Sequence, residues 1–154
     1  MTRTATALRP EEGLLLVSCC REKLVTTTPV PAFDIYQGAL VPLLRDRLAP
    51  EHRARVRVLS AEHGVLAPTD PVGTYDHKLR SRQEAHQLSQ RVAARLARDL
   101  EAPALRHVLV ALDPLYQAAA QCLHRYAPPL TLTLLPNPSD WRGTAAVLNE
   151  WGWL

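Results

Sequence analysis

The sequence predicts an α/β fold: a single-domain three-layer sandwich in which helices cover both faces of a mainly parallel, four-stranded sheet. Three observations predict it. Four short apolar runs, at 14–18, 55–60, 107–112 and 130–135, have the length of buried strands. Segments of helical period separate them, and that alternation implies parallel pairing through crossover helices. The chain of 154 residues has no repeat or long linker, which fits one domain of ordinary size.

Residues 1–12 are polar and aperiodic and read as a flexible N-terminal tail, leaving 13–154 as the α/β domain. After the first strand, 26–31 holds prolines and threonines and reads as a loop. A helix is expected over 34–48, opened by Asp34 with Gln37 and interrupted or kinked at Pro42. Residues 61–79 follow the second strand and mix glycines with prolines, so they read as one long loop. Loops of that length in compact domains usually carry function. Ser81 with Glu84 is a capping-box pattern, and Ala85, Leu88, Val92, Leu96 and Leu100 form the buried stripe of the helix it starts. Asp113-Pro114 opens a helix running to about Tyr126. The turn Pro136-Asn137-Pro138-Ser139 leads into a last helix that begins near Trp141. The terminal Trp151-Gly152-Trp153-Leu154 either closes a homodimer or covers the core.

Composition removes several function classes. Hydrophobic residues are 47% and charged residues 21%, a globular mix that excludes wholesale disorder. The longest apolar run near the start is 14–17, far short of a membrane span or an export signal, so the expected compartment is the reducing cytoplasm. Cys19, Cys20 and Cys122 are an odd number and lack zinc-ligand spacing, so no metal is expected. No phosphate-binding glycine loop or dinucleotide fingerprint is present, and no cofactor is implied.

Candidate chemistry collects at the carboxyl ends of the strands, where open α/β sheets bind ligands. The turn Ser18-Cys19-Cys20-Arg21-Glu22-Lys23 offers a hydroxyl, two thiols and two cations. Cys19 reads either as a nucleophile activated by those cations or as a small apolar residue under the sheet. Lys23 and the turn amides suit an anion. Ser60-Ala61-Glu62-His63-Gly64 gathers a hydroxyl, a carboxylate and an imidazole after the second strand, with Gly64 suited to a left-handed turn. A Ser60/His63/Asp76 triad is conceivable, but neighbouring positions in sequence do not establish triad geometry. Further along, Tyr75 suits stacking on a flat ligand and Asp76 suits proton transfer, or both simply build a turn.

The net charge is +3, but it is unevenly distributed. Five arginines between Arg45 and Arg57 meet only Asp46 and Glu51. Six basic residues between Lys78 and Arg98 meet only Glu84. Arg80, Arg82, Arg91, Arg95 and Arg98 therefore read either as a solvated helix face or as a nucleic-acid-facing stripe.

The same segments carry a family resemblance. Ser18-Cys19 with Lys23, Asp34-Ile35-Tyr36-Gln37-Gly38, Leu59-Ser60-Ala61-Glu62-His63-Gly64-Val65-Leu66 and Tyr75-Asp76 with Leu79 resemble the YaaA-like group. Within that group it more closely resembles the short bacterial and phage members of uncharacterised function, over residues 14–79. The architecture is also similar to glycosylase-like and deoxyribosyltransferase-like folds, with Asn137-Pro138-Ser139 where the former has a His-Pro-Ser turn. The resemblance implies a nucleobase, nucleotide or nucleic-acid ligand, held by Ser18, Cys19, Lys23, Tyr36, Gly38, Ser60 and Tyr75. Asp76, Glu62 and His63 are then the catalytic candidates for cleaving or transferring an N-glycosidic bond. The alternative is a non-catalytic DNA-binding oxidative-stress protein that uses the arginine stripe.

Overall fold

The computed structural model describes residues 7–135 and 137–154. β1 (Gly13–Ser18) is buried at all six positions and lies at the centre of the main sheet. It pairs in parallel with β3 (Val56–Ser60) on one side and β6 (His107–Ala111) on the other, and β6 pairs in parallel with β7 (Thr131–Leu134). Those four strands are the expected ones. The sheet has a fifth, β4 (Gly64–Leu66), antiparallel to β3 and outermost in the order β4-β3-β1-β6-β7. It lies inside the segment read as a loop. Three residues are too few to show alternation, and Gly64, at φ +79°, supplies the left-handed backbone that turns the chain into it. The same segment holds β5 (Pro71–Val72), which pairs antiparallel with β2 (Val30–Pro31) as a separate two-stranded ribbon.

Successive β1 side chains enter opposite cores, as the period of a strand requires. Leu14 and Leu16 pack with α4 (Arg82–Leu100) and α5 (Pro114–Ala119). Leu15 and Val17 pack with α1 (Ala32–Ile35), α2 (Val41–Arg47) and α6 (Trp141–Glu150). The result is a mostly parallel α/β sheet with helices against both faces. Each fully buried leucine contributes roughly 2 kcal/mol. α4 buries the five residues of its expected stripe, and the Ser81 hydroxyl accepts the Glu84 N–H as its cap. Arg57 on β3 grips Asp99 with two hydrogen bonds of 3.0 and 3.1 Å, so part of the basic run 45–57 is internal wiring.

Three further expectations are corrected. The helix over 34–48 is instead α1, α2 and, beyond it, α3 (Pro50–Arg53). Asp34 lies within α1 rather than capping it, Gln37 Nε2 donates to the Asp34 carbonyl, and Pro42 begins α2, because proline fits a first helical turn and not an interior. The helix to Tyr126 divides into α5 and a 3₁₀ segment, Gln121–Tyr126. Finally, the expected tail is held where it is described. Leu8 N–H donates to the Trp151 carbonyl, Trp153 Nε1–H donates to the Leu8 carbonyl, and Pro10–Glu12 forms a 3₁₀ turn. Residues 1–6 of that tail, and Pro136 in the turn before α6, lie outside the described residues.

Of the two readings of the C-terminal tryptophans, the structure shows the one that covers the core. Trp151 and Trp153 are 5% and 4% exposed. Their rings meet edge to face at 5.0 Å, and Trp153 stacks on His52 at 4.6 Å. Both rings press on Gly13, where an added Cβ would lie 2.7 Å from Trp153 and 2.9 Å from Trp151. Gly13→Ala therefore displaces two indoles. Urea denaturation is expected to register a loss of about 1–3 kcal/mol, the usual cost of overpacking. An unchanged midpoint would show that this lid yields.

Candidate functional site

Where β1 and β6 end, the chain must leave the sheet, and the two exits are stitched together. Ser18 Oγ accepts the Asp113 N–H at 3.1 Å, and Cys19 N–H donates to the Leu59 carbonyl of β3 at 2.9 Å. Asp113 Oδ1 then caps α5 by accepting the N–H groups of Leu115 and Tyr116. Above these exits lies a cavity of about 630 Å³. That is the size of an ordinary small-molecule site. Cys19, Leu79, Leu115 and Tyr116 give it an apolar lining, and Arg21, Lys23, Lys78 and Arg80 add four cations to the carboxylates of Asp76 and Asp113.

Hydroxyl groups organise the ground beneath. Ser60, fully buried at the end of β3, accepts the N–H groups of Glu62 and His63 at 3.2 and 3.1 Å. Both lone pairs are thus engaged, and its proton goes to the Tyr75 oxygen 2.7 Å away. The Tyr75 oxygen lies 2.6 Å from that of Tyr36, which is fully buried. Burial pushes both phenols far above their ordinary pKa and keeps them protonated. Lys23 lies over the Tyr75 ring, 4.4 Å from its centroid, and the His63 ring meets another side of Tyr75 edge-on at 5.1 Å. Tyr116, likewise raised by burial, accepts the Leu79 N–H at 3.5 Å, and its oxygen lies 3.2 Å from Cys19 Sγ.

Of the residues singled out in the sequence, Cys19, Lys23, Asp76 and Arg80 line this cavity together. Ser18, Tyr36 and Ser60 are buried beneath it. Gly38 turns to the Cys20 side: its N–H donates to Cys20 Sγ, and a Cβ there would lie 2.6 Å from Glu22 Oε2. Cys20 also donates to the Glu22 carbonyl, and burial pushes its thiol up. Glu62 joins His77 at 3.0 Å. His63 faces a second, shallower hollow with Asp70, Arg91 and Arg95. No hydrogen bond links the His63 imidazole to Ser60 among the described residues, so the conceivable triad is not assembled.

The five arginines are divided as well. Arg80 is in the main cavity, Arg95 pairs with Asp70 at 3.2 Å, and Arg91 points both terminal nitrogens at the Glu62 carbonyl, 3.4 Å away. Arg82 lies about half a turn around α4 from Arg91, while Arg98 shares the Arg91 side. Tyr116, His77 and Lys78 were not among the expected site residues. Tyr116 had a signal, its place in the first turn of a helix leaving a strand's carboxyl end.

Tyr75→Phe removes the oxygen shared by two buried hydroxyls, whereas Tyr36→Phe removes one bond at the edge of the cluster. Denaturant titration should find Tyr75→Phe less stable by about 1–3 kcal/mol and Tyr36→Phe less affected. Equal midpoints for the two variants would remove Tyr75 from the centre of the network.

The matched family model spans residues 14–130, which takes in every residue of the cavity. No curated protein matches the chain. By that match over most of its length, the chain belongs to DUF6884, a family of unknown function.

Proposed function

We propose that the main cavity binds a nucleoside phosphate and that the protein cleaves or transfers its N-glycosidic bond. The observation that carries this reading is one half-open cavity that brings together four cations, an apolar lining and an available carboxylate. Arg21, Lys23, Lys78 and Arg80 suit the phosphate, and Leu79, Leu115 and Tyr116 suit the flat apolar part. Asp113 is occupied as a helix cap and Glu62 by His77. Asp76 is exposed at the cavity wall and, among the described residues, makes no hydrogen bond to another residue. It is therefore the carboxylate for the chemistry. In hydrolysis the bond from the anomeric carbon to the base nitrogen breaks and the water oxygen bonds to that carbon. Asp76 takes a water proton, while the leaving base gains one from solvent. The carboxylate also stabilises the cationic sugar in the transition state.

A kinship with the YaaA-like group, and with glycosylase-like or deoxyribosyltransferase-like folds, accords with this reading by analogy of architecture. The non-catalytic DNA-binding alternative needs the arginines as one surface, and Arg80 lies in the main cavity while Arg91 and Arg95 line the second hollow, engaged with the Glu62 carbonyl and Asp70. A possible homodimer loses its tryptophan surface, which the core occupies. No helix among the described residues is long and apolar enough to cross a membrane.

Mass spectrometry after incubation with nucleosides, nucleotides and single- and double-stranded DNA tests the proposal. Free base should accumulate over many turnovers and fall by on the order of 10²-fold or more in Asp76→Asn. No release, together with salt-sensitive DNA retention, would replace the enzyme with the binding protein.

A further inference from the structure

Residues 76–80 form one wall of the cavity without belonging to any helix or strand. Two of this strap's backbone N–H groups donate to side chains. Leu79 N–H reaches the Tyr116 oxygen at 3.5 Å, and Arg80 N–H reaches Glu84 Oε2 at 3.1 Å. Leu79 is buried in the core, and the side-chain polar attachment of the strap is His77. Its Nδ1 lies 3.0 Å from Glu62 Oε2, in the turn after β3, and its Nε2 lies 2.6 Å from Glu84 Oε1, in the first turn of α4. An ionised carboxylate only accepts hydrogen bonds, so both ring nitrogens must donate, and an imidazole that donates twice is an imidazolium. A neutral ring would turn a lone pair toward one of the two carboxylates.

We propose that His77 is the positioning residue of the cavity: clamped as an imidazolium between Glu62 and Glu84, it holds Asp76, Lys78 and Arg80 in the wall, and its deprotonation releases them. The proposal rests on the nucleotide reading only for what the cavity holds; the clamp stands without it.

The two carboxylates in contact with His77 both favour its charged form. Glu84 and Glu62 touch it and hold its pKa above the usual 6.5, Glu84 the more strongly. His77 and the Arg80 N–H in turn hold Glu84 below its usual 4.5. Arg91 sits on the Glu62 carbonyl rather than on its carboxylate. Asp76 and Lys78 flank His77 on the strap with opposite charges, and Arg21, Lys23 and Asp113 line the same cavity. A raised imidazole pKa means that the clamp is fully formed below 6.5 and is lost as pH rises through the raised value. On the acid side it is lost as pH falls through the depressed value of Glu84. Each unit by which the closed form raises the imidazole pKa is worth about a tenfold change in the closing equilibrium.

Amide hydrogen exchange by NMR, corrected for its intrinsic pH dependence, reads the strap directly. Between roughly pH 6 and pH 9, protection at Leu79 and Arg80 should fall by about tenfold per unit of that shift. The midpoint should follow the His77 titration, and Leu109 in β6 should show no such step. In His77→Gln the step should vanish, and in Glu62→Gln its midpoint should move down. A step that survives His77→Gln, or no step in the natural sequence, overturns the clamp. Binding of adenosine 3′,5′-cyclic phosphate, whose charge does not titrate over this range, separates the two proposals. Weaker binding above the midpoint supports the positioning role, and equal binding on both sides of it overturns that role. If no nucleotide binds at any pH while the step persists, the clamp stands and the nucleotide reading falls.

Discussion

Burial of β1 on both faces obliges its carboxyl end to find partners in the neighbouring strands. A strand in that position exposes no edge to water, and every polar group at its exit needs a protein partner. Ser18 meets this need by accepting the Asp113 N–H from the end of β6, and Cys19 by donating to Leu59 in β3. Three strand ends are thereby locked at one level, and the cavity is the space above them. The same constraint fixes the back of the site. Ser60 ends β3 in full burial, so its hydroxyl must be satisfied internally, and the Tyr75 phenol does this. Site and fold share these hydrogen bonds, which is why the variants that loosen the tyrosine cluster are expected to cost stability before they touch a ligand.

The parts of the fold written in strong periodicity were legible. The four parallel strands and the stripe of α4 depend on runs of apolar residues at fixed spacing, and Asp113-Pro114 marks a helix start by local chemistry alone. The edge strand β4 was illegible because its three residues pair through the backbone, with no alternation for a sequence to display. The short helices after β2 were masked because Asp34 and Gln37 have the spacing of a cap but sit inside and after α1. At the site, Cys19, Lys23 and Asp76 were visible as chemistry-bearing residues at strand ends and beyond. Their companions were not, because His77 becomes notable only through Glu62, fifteen positions away, and Glu84, seven away. Such pairings are properties of the folded chain. Burial was equally hidden: nothing local distinguishes Tyr36, wholly enclosed, from Tyr75, which is partly open.

The segment Ser60-Ala61-Glu62-His63-Gly64 shows how a chemically suggestive run can serve a different end. It has the nucleophile, carboxylate and imidazole of a hydrolase, yet each group is occupied elsewhere. Ser60 is bonded to Tyr75 and two backbone N–H groups, Glu62 binds His77, and His63 packs against Tyr75 beside the second hollow. Gly64 turns the chain into β4, with Arg91 lying against it. Together they form a buttress between the sheet and the strap, and a buttress must be rigid where a nucleophile must be accessible. The groups left for chemistry are those at the cavity itself: Cys19 and Tyr116 in its lining, and Asp76, Lys78 and Arg80 on the strap. This division gives the clamp its significance. Lys23 leans on a tyrosine anchored to β3, so its position is inherited from the sheet. Asp76, Lys78 and Arg80 lie on a strap held by the core burial of Leu79, by the Arg80 N–H on Glu84 and by the imidazole between two carboxylates. On the clamp proposal, the carboxylate assigned to the chemistry sits on the one wall of the cavity that belongs to no helix or strand, and the His77 proton governs how firmly that wall is held.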